Sequence, residues 1–358
     1  MIPDFLRNVG VFLASVIGVK LTNIRMMNRL IILLLLGLAT ASCQRNPLKI
    51  DVSDVNLELT FKSYDDDLFE PADSLEEKVA ALQAEYGTFF SLFNQHMIGI
   101  GGPADENFYP QLQAFLSDTM IVNLKIEADR RIDKDRLKDD FTSAFKHYRY
   151  YFPGKVVPAV YTCISGLNES VVLADSLIGI SLDKYLGADF DYYPRLGLPA
   201  YKIRNMHPEK IIPDAFYFWA MTEYPINAKA SKVIESMIYE GRLLYFVDAM
   251  QPEVHDSLKI GYTQKELAFC RASEAAMWGY LAEHNLLFST KRMDIKRYVD
   301  DGPYTSSFTT ESPGRVGAWL GWQIVRSYMK KNPEVSLKKL MEDQDYLRIL
   351  NESGYQPE

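Results

Sequence analysis

The segment that decides the fold reads MIYEGRLLYFVDAMQP and runs from Met237 to Pro252. Apolar side chains recur on nearly every face of a helix drawn through it, and Pro252 ends that helix. A helix that is apolar all round is buried, so this segment predicts the centre of a hydrophobic core. Glu240 and Arg242 lie in the middle of it, where ionised groups need charge partners or hydrogen bonds. They are either a buried ion pair or part of a binding or catalytic site.

A second helix, predicted over residues 264–285, carries another candidate acid. It opens with a capping box at Thr263 and Glu266. Glu274 falls in its middle, among the apolar residues of EAAMWGYL. We therefore expect a second buried carboxylate on this helix.

A third helix is predicted over residues 313–331, within SPGRVGAWLGWQIVRSYM (312–329). Ser312 is its expected N-cap and Pro313 its first residue. Arg315 then falls in the first turn, which the helix dipole disfavours for a cation, so we expect it to pair with an acid. Glycines at 314, 317 and 321 lie along one side and predict close approach to another helix.

The rest of the chain predicts a single α+β domain in which helices dominate. The alternating segment 55–64 indicates a strand, and the β-branched runs of 156–186 indicate a small antiparallel sheet or hairpin. Ser74 and Glu77 form the capping box of one further helix, which Gly87 ends. Other helices are predicted over 88–98, 106–117, 134–149, 208–223, 228–250 and 335–350.

The N-terminal region has the layout of an export signal. The apolar block LIILLLLGLATAS (30–42) follows Arg29 and ends in small residues directly before Cys43. About a dozen apolar residues are too few to cross a bilayer, which needs about 20. We expect a signal peptide over 1–42, with 1–25 an over-long start, then a lipid-anchored tether over 43–54 and the domain over 55–358.

Two cysteines remain in the expected domain. Cys163 lies in a strand-like stretch and Cys270 in a helical one. An exported chain allows a disulfide between them, and two buried reduced thiols fit the sequence as well.

Composition and missing motifs exclude several function classes. The net charge of −8 over 358 residues, without a basic cluster, excludes nucleic acid as a partner. No phosphate-binding loop, dinucleotide fingerprint or nucleophile elbow is present. The five histidines form no pair at i, i+4, so local spacing predicts no metal site and no cofactor.

Five segments together resemble the gliding motility lipoprotein GldB family of Bacteroidetes. These segments are YFPGKVVPAVYTCISGLNES (151–170), ISLDKYLGADFDYYP (180–194), IYEGRLLYF (238–246), EAAMWGYL (274–281) and SPGRVGAWLGWQIVRSYM (312–329). The resemblance spans most of the expected mature chain. It implies an exported lipoprotein of the cell envelope, linked to the gliding machinery, that faces the periplasm and has other envelope proteins as partners.

That family is in turn similar to zinc metallopeptidases whose helix carries H-E-x-x-H. The resemblance implies a zincin-like scaffold and places Tyr239 and Leu243 where the two histidines stand, with Glu240 keeping the place of the glutamate. Glu274 takes the place of a downstream acidic ligand. Without the two imidazoles a glutamate has no zinc-bound water to activate, so we expect no zinc hydrolysis here.

Four short Asp-Ser/Thr-aliphatic tripeptides resemble the acceptor pattern for protein O-glycosylation in Bacteroidetes. Their acceptor residues are Ser74, Thr119, Ser176 and Ser257.

Two hypotheses follow. The leading one is a non-catalytic envelope lipoprotein that binds proteins or a ligand on a degenerate metallopeptidase scaffold, with Tyr239, Glu240, Arg242, Leu243, Glu274 and Arg315 as remnants of the site. The alternative is a divergent hydrolase in which Glu240 and Glu274 converge, with His207 or His255 within reach of a metal. Convergence of Glu240 on Arg242 or Arg315 favours the first.

Overall fold

The computed structural model of the chain describes residues 46–357, and the chain from Leu48 onward forms one compact unit. Cys43 and the expected signal peptide lie outside the described residues. The helices are α1 (Tyr64–Phe69), α2 (Leu75–Tyr86), α3 (Thr88–Leu92), α4 (Phe108–Ser117), α5 (Thr119–Arg131), α6 (Lys134–Tyr151), α7 (Tyr192–Arg195), α8 (Ala200–Ile203), α9 (Ile211–Glu223), α10 (Val233–Met250), α11 (Asp256–Ile260), α12 (Gln264–Ala272), α13 (Glu274–Glu283), α14 (Arg292–Val299), α15 (Val316–Lys331), α16 (Leu337–Glu342) and α17 (Tyr346–Ser353). The strands are β1 (Phe61–Ser63), β2 (Ala159–Cys163), β3 (Val171–Ala174) and β4 (Leu177–Ser181). The fold is α+β and predominantly helical, as the sequence predicts.

The sheet within residues 46–357 is mixed, so the expectation of an antiparallel sheet is wrong. Its strand order is β1-β2-β4-β3, with β1 parallel to β2 and β2 parallel to β4. Only the hairpin of β3 and β4 is antiparallel. Every residue of β4 is buried, and strands covered on both faces are typical of parallel pairing. The half-buried β3 lies at the edge of the sheet, and β4 lies between β3 and β2.

The predicted first strand is much shorter than the segment 55–64. Only Phe61–Ser63 pair with β2, and α1 begins at Tyr64. The Tyr64 ring is fully buried and meets the rings of Tyr86 and Phe89 edge-on, with centroids 4.9 and 5.2 Å apart. This aromatic packing stabilises a helix that begins at Tyr64, although the alternation of apolar and polar residues predicts that the strand extends to this residue.

Helix α10 is the central element of the core, as its apolar sequence predicts. It is buried along nearly its whole length from Val233 to Met250. Helix α15 packs directly on it, and their backbones approach at two glycines. A Cβ added to Gly321 would lie 1.7 Å from the carbonyl oxygen of Met237, and one added to Gly241 would lie 2.2 Å from the Gly321 oxygen. The expectation of close packing at the glycines of α15 is confirmed.

Two predicted helix boundaries near the candidate residues are wrong. The helix expected over 264–285 is interrupted at Ser273, whose φ and ψ of −110° and 11° leave the helical region. Glu274 is therefore the first residue of α13 and not a mid-helix residue. Helix α15 begins at Val316, with Arg315 as N-cap at a positive φ of 58°. Ser312 instead bonds Thr305 and Thr309 in the preceding loop.

Other boundaries follow the sequence closely. Ser74 accepts a hydrogen bond from the Glu77 amide at the start of α2, and Thr263 with Glu266 forms the capping box of α12. The helix predicted over 335–350 is two helices, α16 and α17. Among residues 46–357 we find no helix that combines the length and the apolarity needed to span a membrane.

Candidate functional site

A cleft of about 580 Å³ lies where α9, α10 and the loop before α15 meet. Glu240 and Leu244 reach it from α10, and Tyr217 and Phe218 from α9. Its volume is in the range of small-ligand sites. Glu240 and Arg315, two of the candidate residues predicted from the sequence, therefore line an open cleft.

Three side chains form a closed cluster in the cleft wall. The Tyr217 hydroxyl donates to Oε2 of Glu240 at 2.5 Å, and Nη2 of Arg315 donates to the same oxygen at 2.8 Å. The same nitrogen lies 3.2 Å from the Tyr217 oxygen. The Glu240 side chain is 14% exposed and that of Arg315 18%. Glu240 thus converges on Arg315, one of the two arginines that the sequence offers as its partner.

Burial and neighbouring charges shift the pKa values of Tyr217 and Arg315. Burial, followed by the Glu240 charge, raises the pKa of the Tyr217 phenol well above its ordinary value, so the hydroxyl stays a donor. Burial by itself lowers the pKa of Arg315, but the acidic groups of Tyr217, Glu240 and Asp301 outweigh it and raise that pKa. Asp301 reaches Nε of Arg315 at 3.5 Å from the cleft rim.

The local backbone places Arg315 for this contact. Arg315 is in the left-handed region, where a residue with a Cβ is disfavoured unless its surroundings hold it. Gly314 before it packs on Gly302, and a Cβ there would lie 2.3 Å from the Gly302 oxygen. Tyr262 donates to the Gly314 carbonyl at 2.7 Å. The loop is therefore fixed on both sides before α15 begins.

Arg242 is not the partner of Glu240. It is fully buried, and its Nη1 donates to the carbonyls of Leu340, Met341 and Asp343 at the end of α16. Its guanidinium lies 4.9 Å from the centroid of the Tyr346 ring. Burial lowers its pKa. The expectation of a buried ion pair at Arg242 is wrong, because backbone carbonyls and an aromatic face take the place of a carboxylate.

Tyr239 and Leu243 point away from the cleft that Glu240 lines. Both are buried in the core, and neither contributes to the cleft wall. The guanidinium of Arg242 lies 5.7 Å from the Tyr239 ring centroid, and burial raises the pKa of that phenol to about 12. A neutral phenol and an isobutyl group pack here where a zincin helix would present two imidazoles.

Glu274 lies outside the cleft. Its Oε1 accepts a hydrogen bond from the Tyr355 hydroxyl at 2.7 Å, so it ties α13 to the C-terminal segment. His207 contacts Glu209 at 2.7 Å and His255 contacts Ser257 at 2.8 Å, and neither lines the cleft. The convergence of Glu240 and Glu274 with a histidine, which the hydrolase hypothesis requires, is absent from the described residues.

The residues of this cleft do not fit a zinc ion. Among residues 46–357, the group whose ligand atoms come close enough to share a metal is Asp65, Asp66 and Asp129, away from the cleft. Lys125 and Lys134 already form ion pairs with that group. In the cleft, Tyr217 and Arg315 occupy the Glu240 oxygen with donors, which repel a cation.

The remaining predicted positions differ in accessibility. Thr119 and Ser176 are exposed, whereas the Ser74 hydroxyl caps α2 and the Ser257 hydroxyl contacts His255. Cys163 and Cys270 are both buried and reduced. O-glycosylation of the four hydroxyl residues stays a prediction.

Sequence reasoning misses two residues that bond to buried charged groups, Tyr217 and Asp248. Tyr217 lies 23 residues before Glu240 in the chain, and its helix carries no local pattern that marks it. Asp248 is a second buried acid of α10, bonded by Lys259, Arg326 and Trp322 at 2.8–2.9 Å. Because Asp248 is a carboxylate within the apolar run of α10, the sequence could have indicated a second buried acid at this position.

Comparison with known proteins identifies the family of the chain. No curated protein and no solved structure matches this chain. The family model described as gliding motility protein GldB matches residues 45–357, which include every residue that the structure describes. The chain therefore belongs to the gliding motility protein GldB family.

Proposed function

We propose that this protein is a non-catalytic, lipid-anchored component of the cell envelope that serves gliding motility by binding other envelope proteins or a ligand. In this proposal Cys43 carries the lipid, a short tether that ends before the buried Leu48 links it to the domain, and the domain faces the periplasm. Membership of the GldB family supports the motility role. The lipid anchor and the binding role rest on the sequence pattern and on the cleft.

The observation that carries the proposal is the pairing of Glu240. One carboxylate oxygen accepts from both Tyr217 and Arg315, and a carboxylate held by a guanidinium is a poor general base because proton uptake would break the ion pair. The wall of the cleft is thus built for a stable shape and a fixed charge pattern, which suits recognition.

The proposal includes a degenerate metallopeptidase-like scaffold. A buried central helix with a glutamate at the edge of a cleft supports it, and the phenol and isobutyl group at the two histidine positions support a site without zinc chemistry. Fold likeness alone does not restore a missing ligand set, so the proposed activity is binding.

A complementation experiment separates binding from catalysis. The full chain with Glu240→Gln is expressed in a gliding bacterium that lacks its own homologue, and colony spreading is measured. Glutamine keeps the shape and an acceptor oxygen for Tyr217, and Asp301 remains as an acidic partner of Arg315. The change removes the base while a carboxylate still faces Arg315, so we expect spreading close to that of the unchanged chain. Glu274→Gln, outside the cleft, is the matched control. Loss of spreading with Glu240→Gln alone, at unchanged protein level, would contradict the proposal and favour a hydrolase.

Elemental analysis of the purified full chain is a second test. We expect no stoichiometric zinc, because the cleft offers donors and not lone pairs around Glu240. One zinc per chain that is lost in Glu240→Gln would support the metallopeptidase alternative. Cross-linking in membranes followed by pull-down then identifies which envelope proteins are bound.

A further inference from the structure

The charges around the cleft cancel. Six lysine and arginine side chains line it, and four aspartates and glutamates line it as well. Glu266 and Asp248, which form ion pairs with two of the six cations, bring the number of carboxylates to six. A concave wall without net charge concentrates neither anions nor cations. Electrostatic attraction therefore does not select an ionic ligand for this cleft.

Four ion pairs within the protein use most of these charges. Each joins its two side chains at 2.7–2.8 Å, and the pairs are Arg204 with Glu266, Lys210 with Asp214, Lys259 with Asp248, and Arg315 with Glu240. An ionic ligand group could bind one member of a pair only by displacing the other, which would leave a half-buried or buried charge of the protein unpaired. The remaining charges, two lysines and two aspartates, are equal in number. The ion pairs thus favour an uncharged ligand.

The cleft lining also contains polar atoms that form no hydrogen bond with any residue in 46–357. They include Oε1 of Glu240, whose Oε2 accepts from Tyr217 and Arg315, and Oδ1 of Asn205, whose Nδ2 donates to the Gly261 carbonyl at 3.1 Å. The hydroxyl of the half-buried Tyr201 is a third. The first two atoms are acceptors, and the hydroxyl both donates and accepts. Ligand hydroxyl groups are complementary to all three, because each can donate to an acceptor and accept from a donor.

An apolar surface accompanies these atoms. The half-buried Phe218 ring is nearly perpendicular to the Tyr217 ring, at 81° with centroids 5.5 Å apart. Because Tyr217 is itself bonded to Glu240, the Phe218 ring has a fixed position relative to the Glu240 carboxylate. Leu198 and Met221 add aliphatic surface to the lining. Apolar side chains with a few placed polar groups are typical of small-ligand sites.

We propose that this cleft binds an uncharged sugar ring, with its C–H face on Phe218 and its hydroxyl groups bonded to Tyr201, Asn205 and Oε1 of Glu240. The proposal rests on the proposed binding function and names the ligand class for the same cleft. A free oligosaccharide and a glycan carried by an envelope protein present this same chemistry. A peptide fits less well, because each of its N–H donors comes with a carbonyl acceptor that needs a donor from the wall.

An array of immobilised glycans, probed with the purified full chain, tests the proposal. It carries neutral oligosaccharides of glucose, galactose, mannose and N-acetylglucosamine, together with sulfated glycans, sialylated glycans and uncharged peptides. The glycan that binds most strongly is then titrated by calorimetry, once as the free oligosaccharide and once attached to a carrier protein. This comparison separates the two sources of the same chemistry.

Two variants of the cleft have matched controls outside it. Tyr201→Phe removes one hydroxyl and keeps the ring, and Phe218→Ala removes the apolar contact. The controls are Tyr150→Phe and Phe288→Ala, at aromatic side chains that are 53% and 56% exposed and do not line the cleft. Unfolding midpoints of all four variants are measured alongside. Tyr201→Phe is expected to fold normally, because its hydroxyl has no partner among the described residues, so it keeps the test decisive if Phe218→Ala is unstable.

We expect saturable binding of a neutral glycan, weakened about threefold or more by Tyr201→Phe and about tenfold or more by Phe218→Ala, and changed by less than about twofold in both controls. Raising the salt concentration about tenfold should change the affinity by less than about twofold, because the ligand carries no charge to screen.

Three results would overturn the sugar site. They are binding of none of the neutral glycans, stronger binding of the peptides or the acidic glycans, and equal affinity of Tyr201→Phe and Tyr150→Phe for the bound glycan. None of these results bears on zinc content or on the spreading of Glu240→Gln. Failure of the sugar site is therefore distinct from failure of the proposed function.

Discussion

The contact between α10 and α15 makes a sharp prediction, because it positions Glu240 and Arg315. Gly321→Ala places a Cβ 1.7 Å from the Met237 oxygen and 2.3 Å from its carbonyl carbon, whereas ordinary contacts begin at 3.4 Å. Both obstructing atoms belong to the backbone of a buried helix, so no side chain can rotate away. To restore an ordinary contact with the Met237 oxygen the two helices must separate by about 1.7 Å, the difference between 3.4 and 1.7 Å.

The loss in the free energy of unfolding comes from core packing that the separation of the two helices would weaken. Trp319, Leu320, Ile324 and Val325 of α15 are all buried in the core. Overpacking a core costs about 1–3 kcal/mol, and a backbone obstruction belongs at the upper end. Alanine gains about 1 kcal/mol of helix propensity over glycine, but this gain is smaller than the packing cost. We expect a net loss of about 2 kcal/mol or more in the free energy of unfolding.

Gly279→Ala is the matched control. Gly279 lies within α13, and a Cβ there would meet no atom within 4 Å. The same substitution should therefore stabilise the chain by about 0.5–1 kcal/mol through helix propensity alone. Urea unfolding of both full-chain variants, monitored by circular dichroism, measures their free energies of unfolding. We expect a decrease for Gly321→Ala and an increase for Gly279→Ala. Equal unfolding free energies for Gly321→Ala and the unchanged chain would refute the backbone contact that positions the cluster.

Three further predictions concern other buried or terminal groups. Asp248→Asn leaves the guanidinium of Arg326 and the ammonium of Lys259 without their shared carboxylate, and should reduce the free energy of unfolding by about 3–5 kcal/mol, measured by urea denaturation. Burial raises the pKa of Asp183 to about 6 from an ordinary 3.8. The folded state therefore keeps a proton that the unfolded state releases, so this group favours folding at low pH. Its contribution, about 3 kcal/mol, should be lost as pH rises from about 4 to 6. Unfolding measured across that range should show this slope, and Asp183→Asn should remove it. Cys43→Ala should move the protein from the membrane fraction to the soluble fraction after cell lysis, whereas Cys270→Ala should leave it in the membrane fraction.

The failed helix predictions show how far local patterns reach. The apolar run 266–288 reads as one helix, since nothing in propensity marks a break at Ser273. In the fold, the backbone turns there and Glu274 starts a new helix, bonded to Tyr355 81 residues away. A contact at that separation has no local signature, so the sequence misplaces Glu274 in the core.

The sheet shows the same limit. β-branched runs and turn residues identify β2, β3 and β4, and chain proximity favours antiparallel neighbours. The order β1-β2-β4-β3 arises because β4 pairs with β2 in parallel and leaves β3 at the edge. Which strand takes the buried centre depends on what covers both faces, and the helices that do so come from distant parts of the chain.

By itself the sequence determines the buried central helix, the caps at Ser74 and Thr263, the glycine positions of close packing and the family resemblance. These depend on periodicity and on contacts a few residues apart, which a linear pattern records. Tertiary structure alone decides that Glu240 pairs with Arg315 at a separation of 75 residues and that Arg242 donates to the carbonyls at the end of α16. Charged groups find partners by proximity in space, and only the packed fold sets that proximity.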